Sequence, residues 1–339
     1  MRDHTMAETQ LNSNRFTHVV AFEVSKASLL VEARPGGARR EIANTPHQVR
    51  GLLRREMKRN RDGQLGPLLV VCEASGGYEC HVLAVATELG LACHRAHGTR
   101  VRYFARFRGR DAKSDGLDVG VLAAYGLAGE GLRLYVPPRP EEAALRDLKT
   151  RRRELKDLLT AETNRLEHQR VKAVAASAKA VIRVLTRELA KIDAEIAALI
   201  KRDEEFRFKA GVLQQTIGVA AGVASTLLAF LPEIGTLAKT TVARLAGLAP
   251  LDNDSGTSRK PRHIHGGRAE VCRDLFMAAR TALNHDPDMI AFAARLTADG
   301  KCYKVMITAV MRKLLVRLNA RLRDALAGQA GVAPAPSAT

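Results

Sequence analysis

The sequence predicts an α/β domain, then a long helical arm, then an all-α C-terminal region. Three observations lead to this fold class. Strand-like and helix-like hydrophobic periods alternate over about residues 15–136, while residues 141–205 contain neither Gly nor Pro and keep a helical period. Residues 206–326 are a series of helical segments separated by Gly and Pro. The ends, 1–14 and 327–339, are polar or rich in Pro and Ala, and we expect disordered tails there.

The first domain begins with three predicted strands, THVVAFEVS, SLLVEAR and REIAN. A helix follows, TPHQVRGLLRREMKRN, with Thr45 as its N-cap and Pro46 at its first position. A buried strand (GPLLVVCEAS), a helix (YECHVLAVATELG) and a further strand (LACHRAH) complete the domain. This order of elements predicts a mixed sheet covered by helices.

The helical arm over 141–205 carries apolar residues at helical spacing. These are Leu145, Leu148, Leu155, Leu158, Leu159, Val184, Leu185, Leu189, Ile192, Ile196 and Leu199. One helix of that length would reach about 95 Å at 1.5 Å per residue. Two antiparallel helices that reverse near VKAVAASAKA are therefore favoured. A plain helical spacer stays open, but so long an apolar seam must be buried, which favours a coiled-coil dimerisation arm.

The charge balance points to a polyanionic partner. Lys and Arg total 54 against 36 Asp and Glu, a net charge of +18, and nucleic acid is the usual partner of such a surface. No membrane span is expected, because the longest apolar run, near Val219–Pro232, is too short. No signal-peptide pattern begins the chain.

Cysteine and aromatic usage narrow the class further. The five cysteines are scattered without C-x-x-C spacing, which argues against a zinc site or a disulfide framework and suits a reducing cytoplasm. Tryptophan is absent and aromatic residues make up only 4%, so we do not expect a base-stacking platform.

Four carboxylates of the first domain are candidate metal ligands. Glu23 lies within the first predicted strand, and Glu73 ends the central one. Asp115 and Asp118 have i,i+3 spacing at a predicted helix start, which puts both on one face. Carboxylate oxygens suit Mg²⁺, and two such ions would polarise a phosphodiester. Alternatively, Asp115 and Asp118 are only acids in the first turn of a helix, where the helix dipole favours negative charge. A glutamate inside a strand costs free energy unless it is ligated or paired.

The segment GLAPLDNDSGTSRKPRHIHGGR, residues 247–268, places Ser255 next to Gly256 in a cationic loop. Its cationic or titratable residues are Arg259, Lys260, Arg262, His263, His265 and Arg268. One interpretation is a solvated connection, since Ser-Gly pairs are common in loops. The other is a serine nucleophile beside cations that hold a phosphate. Ser258 is the nearest alternative hydroxyl.

Basic stretches supply candidate nucleic-acid contacts. RVRYFARFRGR interleaves arginines with Tyr103, Phe104 and Phe107, and KTRRRELK opens the helical arm. The full candidate set is Arg100, Arg102, Arg106, Arg108, Arg110, Lys113, Arg151, Arg152, Arg153, Arg259, Lys260, Arg262 and Arg268. A solvated charged surface is the alternative, and neither stretch distinguishes DNA from RNA.

Six segments occur in an order that resembles a known family. They are AFEVSK, EASGGYE, KSDGLDVGVLA, TIGVAAGVASTLLAFLPEIG, LAGLAPLDNDSG and KVMITAVMRKLLVRLNA. Over about residues 17–325 the chain resembles the Piv/MooV transposases, the DEDD recombinases of the one-ten class of bacterial insertion sequences. The resemblance implies a RuvC-like (RNase H-like) N-terminal domain, a coiled-coil arm and a C-terminal transposase domain. It also implies recombination guided by a structured RNA that the element encodes.

The same resemblance implies roles for single residues. Glu23, Glu73, Asp115 and Asp118 would form the acidic set that binds Mg²⁺, and Ser255 would be the nucleophile. Two positions depart from the family pattern. The first acid is normally aspartate, and here it is Glu23. The extra methylene moves the carboxylate by roughly 1 Å, whereas Mg²⁺–oxygen distances are restricted to about 2.0–2.1 Å, so the metal site is either adjusted or impaired. The Gly-containing turn TIGVAAG leads into a predicted helix, and such a turn can present backbone N–H groups to a phosphate. It lacks the proline and second glycine of the family's Pro-Gly-x-Gly turn.

Taken together, we expect a cytoplasmic DNA transposase or recombinase that acts as a homodimer and pairs into a tetramer in synapsis. It would cut and rejoin DNA through a covalent phosphoserine at Ser255, with Mg²⁺. Two alternatives stay open: a RuvC-like metal-dependent nuclease in which water attacks, and a catalytically impaired nucleic-acid-binding relative, which Glu23 suggests.

Overall fold

The computed structural model describes residues 16–109, 119–129, 132–251, 254–255, 258–259 and 263–329. The chain divides into two compact units, Met1–Pro137 and Pro138–Thr339. Among the described residues, no helix is long and apolar enough to cross a membrane. The expected tail 1–14 and most of the expected tail 327–339 lie outside the described residues.

The first unit contains a five-stranded mixed sheet. Its strands are β1 (His18–Val24), β2 (Ser28–Arg34), β3 (Arg40–Ala43), β4 (Leu68–Glu73) and β5 (Ala92–Ala96). Their order across the sheet is β3-β2-β1-β4-β5. β1, β2 and β3 pair antiparallel, whereas β4 is parallel to both β1 and β5. The prediction of a mixed sheet is confirmed.

Helices cover both faces of this sheet. They are α1 (Pro46–Asp62), α2 (Cys80–Glu88), α3 (Gly98–Phe107) and α4 (Val119–Ala128). The N-cap prediction for α1 is confirmed, because the Thr45 side chain accepts a hydrogen bond from the backbone N–H of Gln48. Even-numbered β1 residues such as Phe22 pack with α1 and α2, and odd-numbered ones such as Ala21 pack with α3 and α4.

The arm is a helical hairpin of α5 (Pro140–Glu167) and α6 (Lys172–Arg202). The helices run antiparallel, since Arg152 pairs with Asp193 and Arg139 with Asp203. Two antiparallel helices were predicted, and this is confirmed. The chain reverses at residues 168–171, earlier than the predicted centre of the turn. The Ala-rich segment that follows stays helical because Ala has the highest helix propensity.

The rest of the second unit is mostly helical: α7 (Glu204–Gln214), α8 (Ala221–Phe230), α9 (Lys239–Leu245), α10 (Ala269–His285), α11 (Pro287–Ala298) and α12 (Tyr303–Gln329). These helices share one core with part of the arm. Leu145 of the arm is buried in this core, together with Leu227, Leu275 and Leu314. The last helix continues into the segment that was predicted as a tail.

The prediction of an all-α C-terminal region is wrong at residues 250–264. Four short strands lie there: β6 (Pro250–Leu251), β7 (Asp254–Ser255), β8 (Ser258–Arg259) and β9 (His263–Ile264). β6 pairs with β9 and β7 with β8, both antiparallel. Two-residue strands lack the alternating hydrophobic pattern that marks longer ones, so the composition resembled an irregular loop.

Candidate active site

Glu23 and Glu73 occupy adjacent positions on two neighbouring parallel strands. β1 and β4 pair in the register Phe22↔Cys72, and each glutamate is the next residue along its strand. Ala21 and Val71, two residues earlier, are buried against α3 and α4. Since side chains alternate along a strand, both glutamates belong to that same face of the sheet. The carboxyl ends of the two strands therefore bring two predicted acids together.

The two carboxylates affect each other electrostatically. Glu73 is half-buried, and its pKa is raised above the ordinary value first by burial and also by the charge of Glu23, while Arg102 acts to lower it. A raised pKa means that a negative charge at Glu73 is costly there. A divalent cation would offset this cost, so the pair has the oxygen donors and the charge that a Mg²⁺ site needs.

The position of Glu73 depends on a glycine at the start of α3. A Cβ atom at Gly98 would overlap Oε1 of Glu73, so the carboxylate lies directly against the first residue of the helix. The N-terminal end of a helix favours negative charge. Sequence reasoning missed this residue, although a glycine directly after a strand signals a close backbone approach.

Glu79, which sequence reasoning also missed, holds the loop that follows Glu73. Its Oε2 accepts hydrogen bonds from the backbone N–H of Ser75 (3.1 Å), the hydroxyl of Ser75 (3.1 Å) and the backbone N–H of Gly77 (2.9 Å). Its other oxygen binds Arg95. Burial acts to raise the pKa of Glu79, but backbone hydrogen bonds and the Arg95 charge hold it below the ordinary value. Glu79 is thus a buried carboxylate whose hydrogen bonds fix the conformation of this loop.

Asn44 connects this loop to the end of β1. Its side-chain nitrogen donates to the carbonyl of Ser25 (2.9 Å) and to the carbonyl of Tyr78 (3.0 Å). Asn44 is 8% exposed, so both hydrogen bonds are largely shielded from water. The segments that follow Glu23 and Glu73 are therefore held by one buried amide.

The other two predicted acids, Asp115 and Asp118, lie outside the described residues, as do Arg110 and Lys113. α4 begins at Val119, the residue after Asp118, and Val119 is fully buried with Val19 and Ala21. The described part of the chain contains no group of three or more metal-ligating side chains.

Ser255 lies in a short antiparallel pair of strands rather than in an irregular loop. In the β7–β8 pair, Ser255 is opposite Ser258 and Asp254 is opposite Arg259. Lys260 and Arg262 lie outside the described residues, and His263 and His265 are exposed. The two serines that the sequence put forward are thus cross-strand neighbours.

The base of the 247–268 segment is closed by glycines and by an ion pair. A Cβ atom at Gly247 would overlap the carbonyl of Gly266, and Gly247 has a φ of +71°, so both the space and the backbone conformation favour glycine. Arg268 forms a bidentate ion pair with Glu233, with N–O distances of 2.6 and 2.7 Å. This guanidinium has an internal partner, and its predicted contact with nucleic acid stays a prediction.

The remaining basic candidates fall into two groups. Arg100, Arg102, Arg106 and Arg108 are all exposed on or just after α3. Arg151, Arg152 and Arg153 each form an ion pair within the arm, with Glu154, Asp193 and Asp157 respectively. The ion pairs of Arg151 and Arg153 lie within α5 and stabilise that helix, whereas the ion pair of Arg152 joins α5 to α6. The contacts of these arginines with nucleic acid stay a prediction.

A buried polar cluster lies beneath the first turn of α8. Nζ of Lys149 donates to the carbonyl of Gly222 and to Oγ of Ser225, both at 3.1 Å, and Thr226 binds Asp274 nearby. Burial lowers the pKa of Lys149 to about 8. The prediction that a Gly-containing turn leads into a helix here is confirmed, since Gly218 has a φ of +91°. Lys149 itself was missed, because it lies within a run of arm cations.

Two protein-family models match the chain. A model described as "Transposase" matches residues 21–175, and one described as "Transposase IS116/IS110/IS902 family" matches residues 210–294. Over these two segments the chain is therefore similar to IS110-family transposases. The first match spans Glu23, Glu73, Asp115 and Asp118, and the second spans Ser255.

Two curated proteins are similar to the chain over part of its length. The chain is 29% identical over 228 residues to the pilin gene-inverting protein of Moraxella lacunata, covering 66% of this chain and 70% of the relative. The pilin gene-inverting protein of Moraxella bovis matches to the same extent. The comparisons therefore support a transposase or DNA recombinase.

Proposed function

We propose that the protein is a Mg²⁺-dependent DNA transposase that cuts and rejoins the ends of an insertion sequence through Ser255. The observation that carries the proposal is the pair of carboxylates, Glu23 and Glu73, at adjacent positions on parallel strands β1 and β4. An acidic pair on the helix-covered face of a mixed sheet fits a RuvC-like (RNase H-like) domain. The two transposase matches span this pair and Ser255.

The donor set suits Mg²⁺. Both glutamates supply hard oxygen ligands. Burial and, less strongly, the charge of Glu23 raise the pKa of Glu73, and a bound cation would offset the cost of its negative charge. Asp115 and Asp118 would complete the ligands, and α4, which follows them directly, packs on the same face of the sheet. When bound, Mg²⁺ would polarise the scissile phosphodiester. Glu23 fits this site only if the strand compensates for its extra methylene.

The serine step conserves the energy of the DNA bond. Oγ of Ser255 attacks the scissile phosphorus, a new Oγ–P bond forms, and the bond to the leaving deoxyribose oxygen breaks. The hydroxyl proton leaves Ser255 and the leaving oxygen takes up a proton, so the phosphodiester count is unchanged. Attack by a different DNA end on the phosphoserine reverses these changes and joins the strands without ATP. Cations of the 247–268 segment would hold the phosphate.

The proposed partners are DNA, a structured guide RNA and further copies of the chain. A net charge of +18 supports polyanion binding. The arm supports a homodimer, paired into a tetramer in synapsis, because apolar side chains along it are exposed in the single chain: Leu158, Val171, Val174, Val181 and Val184. The cytoplasm is the proposed location.

A covalent adduct is the direct test. Full-length protein is incubated with Mg²⁺, labelled DNA from the two flanks of its gene and RNA transcribed from the same flanks, and is then denatured. We expect a denaturation-resistant protein–DNA adduct that Ser255→Ala abolishes and that Ser258→Ala, its cross-strand neighbour, retains. Equal loss in both variants would indicate a disturbed strand pair and would contradict the nucleophile assignment.

The same experiment addresses a metal-dependent nuclease. This second candidate is favoured by the neighbouring positions of Glu23 and Glu73 on β1 and β4, which suit a metal site without any contribution from Ser255. Cleavage by Ser255→Ala protein, with no adduct from the unaltered protein, would identify water as the nucleophile. No cleavage by the unaltered protein in Mg²⁺ would identify an impaired nucleic-acid-binding relative.

A further inference from the structure

Helix α3 carries two exposed aromatic side chains that the fold does not use. Tyr103 is 64% exposed and Phe107 is 87% exposed. Phe104, between them in sequence, is different: its ring packs edge-on against Tyr125 with centroids 5.5 Å apart. The core of the first unit is thus served by Phe104, and large exposed apolar rings on a short helix call for another explanation.

The exposed rings form a row beside a row of guanidinium groups. Tyr103 and Phe107 are four residues apart, as are Arg102 and Arg106, so each pair lies along one side of the solvent face. Four residues of helix advance about 6 Å. The segment Gly98–Phe107 contains no acidic residue, so the charge of this face is uniformly positive.

This face begins at the acidic pair. Gly98, the first residue of α3, lies against the carboxylate of Glu73, and a Cβ atom at Gly98 would lie 3.9 Å from the Nη2 atom of Arg102. A strand whose phosphates follow Arg102 and Arg106 would therefore lead directly to Glu23 and Glu73. All of these residues belong to the first unit.

We propose that this face of α3 binds an unpaired nucleic-acid strand, with bases stacked on Tyr103 and Phe107 and phosphates bound by Arg102 and Arg106. Base faces within a duplex are covered by their neighbours, so rings on a helix surface can stack only on unstacked bases. A surface of arginines alone would serve a duplex equally well. The inference rests on the proposed function, and it means that nucleic acid is partly unpaired where it meets the acidic pair.

Binding without chemistry tests this inference. Full-length protein carrying Ser255→Ala is titrated in EDTA with a short labelled single strand and with a blunt duplex of the same sequence. We expect Tyr103→Ala and Phe107→Ala each to weaken single-strand binding by at least about fivefold, which corresponds to ~1 kcal/mol per stacked base. Duplex binding should change by less than about twofold. Tyr303→Ala, which removes a comparably exposed ring from α12, is the matched control and should change neither.

A spectroscopic signature separates stacking from charge. The chain has five tyrosines and no tryptophan, so tyrosine emission can be followed directly. Single-strand binding should quench part of this emission. Tyr103→Phe should keep the affinity and lose that part of the quenching. Arg102→Ala and Arg106→Ala should weaken the binding of both the single strand and the duplex and should reduce the salt dependence of binding.

Several results would overturn the inference. Equal weakening of single-strand and duplex binding by the aromatic variants would show that stacking is not involved. Unchanged binding, together with an altered elution volume on size exclusion, would show that the face contacts a second copy. Failure of the proposed chemistry is separate, because it appears as recombination by Ser255→Ala protein and leaves these binding measurements unaffected.

Discussion

Nζ of Lys149 donates a hydrogen bond of 3.1 Å to Oγ of Ser225, and both side chains are buried beneath the first turn of α8. The carbonyl of Gly222 accepts from Lys149, Ser225 and Thr226. This cluster links the arm to the turn that was predicted to contact phosphate.

The free energy of unfolding should rise with pH because of Lys149. Its folded pKa is about 8, below the ordinary 10.5, so between these values the folded state has released a proton that the unfolded state still binds. Stability from this group therefore increases as pH rises through the window, by at most about 3 kcal/mol, and is lowest below about pH 8. Urea unfolding of the unaltered protein and Lys149→Met at several pH values measures the difference. A difference that is constant with pH would contradict the prediction.

Glu79→Gln should lower both stability and recombination. The amide cannot accept from Ser75, Gly77 and Arg95 as the carboxylate does, and it leaves a buried loop only partly satisfied, at a cost of about 1–3 kcal/mol. Chemical unfolding and a recombination assay give the two readouts. Glu88→Gln is the control, since Glu88 pairs with Arg50 on the surface and should have little effect. Similar losses of stability and recombination in the two variants would contradict the role of Glu79 in holding the loop.

Glu73→Gln should make the protein insensitive to Mg²⁺. Removing one of two neighbouring charges relieves repulsion, so the Tm without metal should be unchanged or higher. The unaltered protein should gain Tm on addition of Mg²⁺ and the variant should not, because a ligand stabilises only the state that binds it. A full Mg²⁺ response in the variant would remove Glu73 from the ligand set.

Glu23→Asp tests whether the longer acid is accommodated. If β1 is placed to suit glutamate, the shorter side chain falls short by roughly 1 Å and activity drops by on the order of 100-fold. Recombination of a paired donor and target by each variant measures this. A clear gain from Glu23→Asp would instead show that glutamate impairs the present site.

The strands and helices of the first unit could be predicted because their signals are local. Thr45-Pro46 fixes the start of α1, and continuous apolar runs mark β1 and β4. The sequence placed Glu23 within the first strand and Glu73 at the end of the central strand, and the parallel pairing of β1 with β4 then brings the two together. Glu79 and Gly98 could not be found this way, since their importance depends on which backbone groups the folded loop brings to a carboxylate.

Composition also hid the aromatic face of α3. A content of 4% aromatic residues argued against base stacking, but a percentage averages over the whole chain. Two rings placed four residues apart on one exposed face are enough to make a surface, and only the helix register and the packing of Phe104 reveal which rings those are.

The closed base of the 247–268 segment sets the length of a tether. Arg268 is clamped to Glu233, its backbone N–H donates to the carbonyl of Leu245, and Gly247 lies against Gly266. Ser255 is the eighth residue after Gly247, so it lies within about 28 Å of that glycine, the span of eight fully extended residues. A phosphate that Ser255 attacks must therefore come within that distance of Gly247. Adding glycines to the segment would let Ser255 reach farther and would lower its effective concentration at the phosphate.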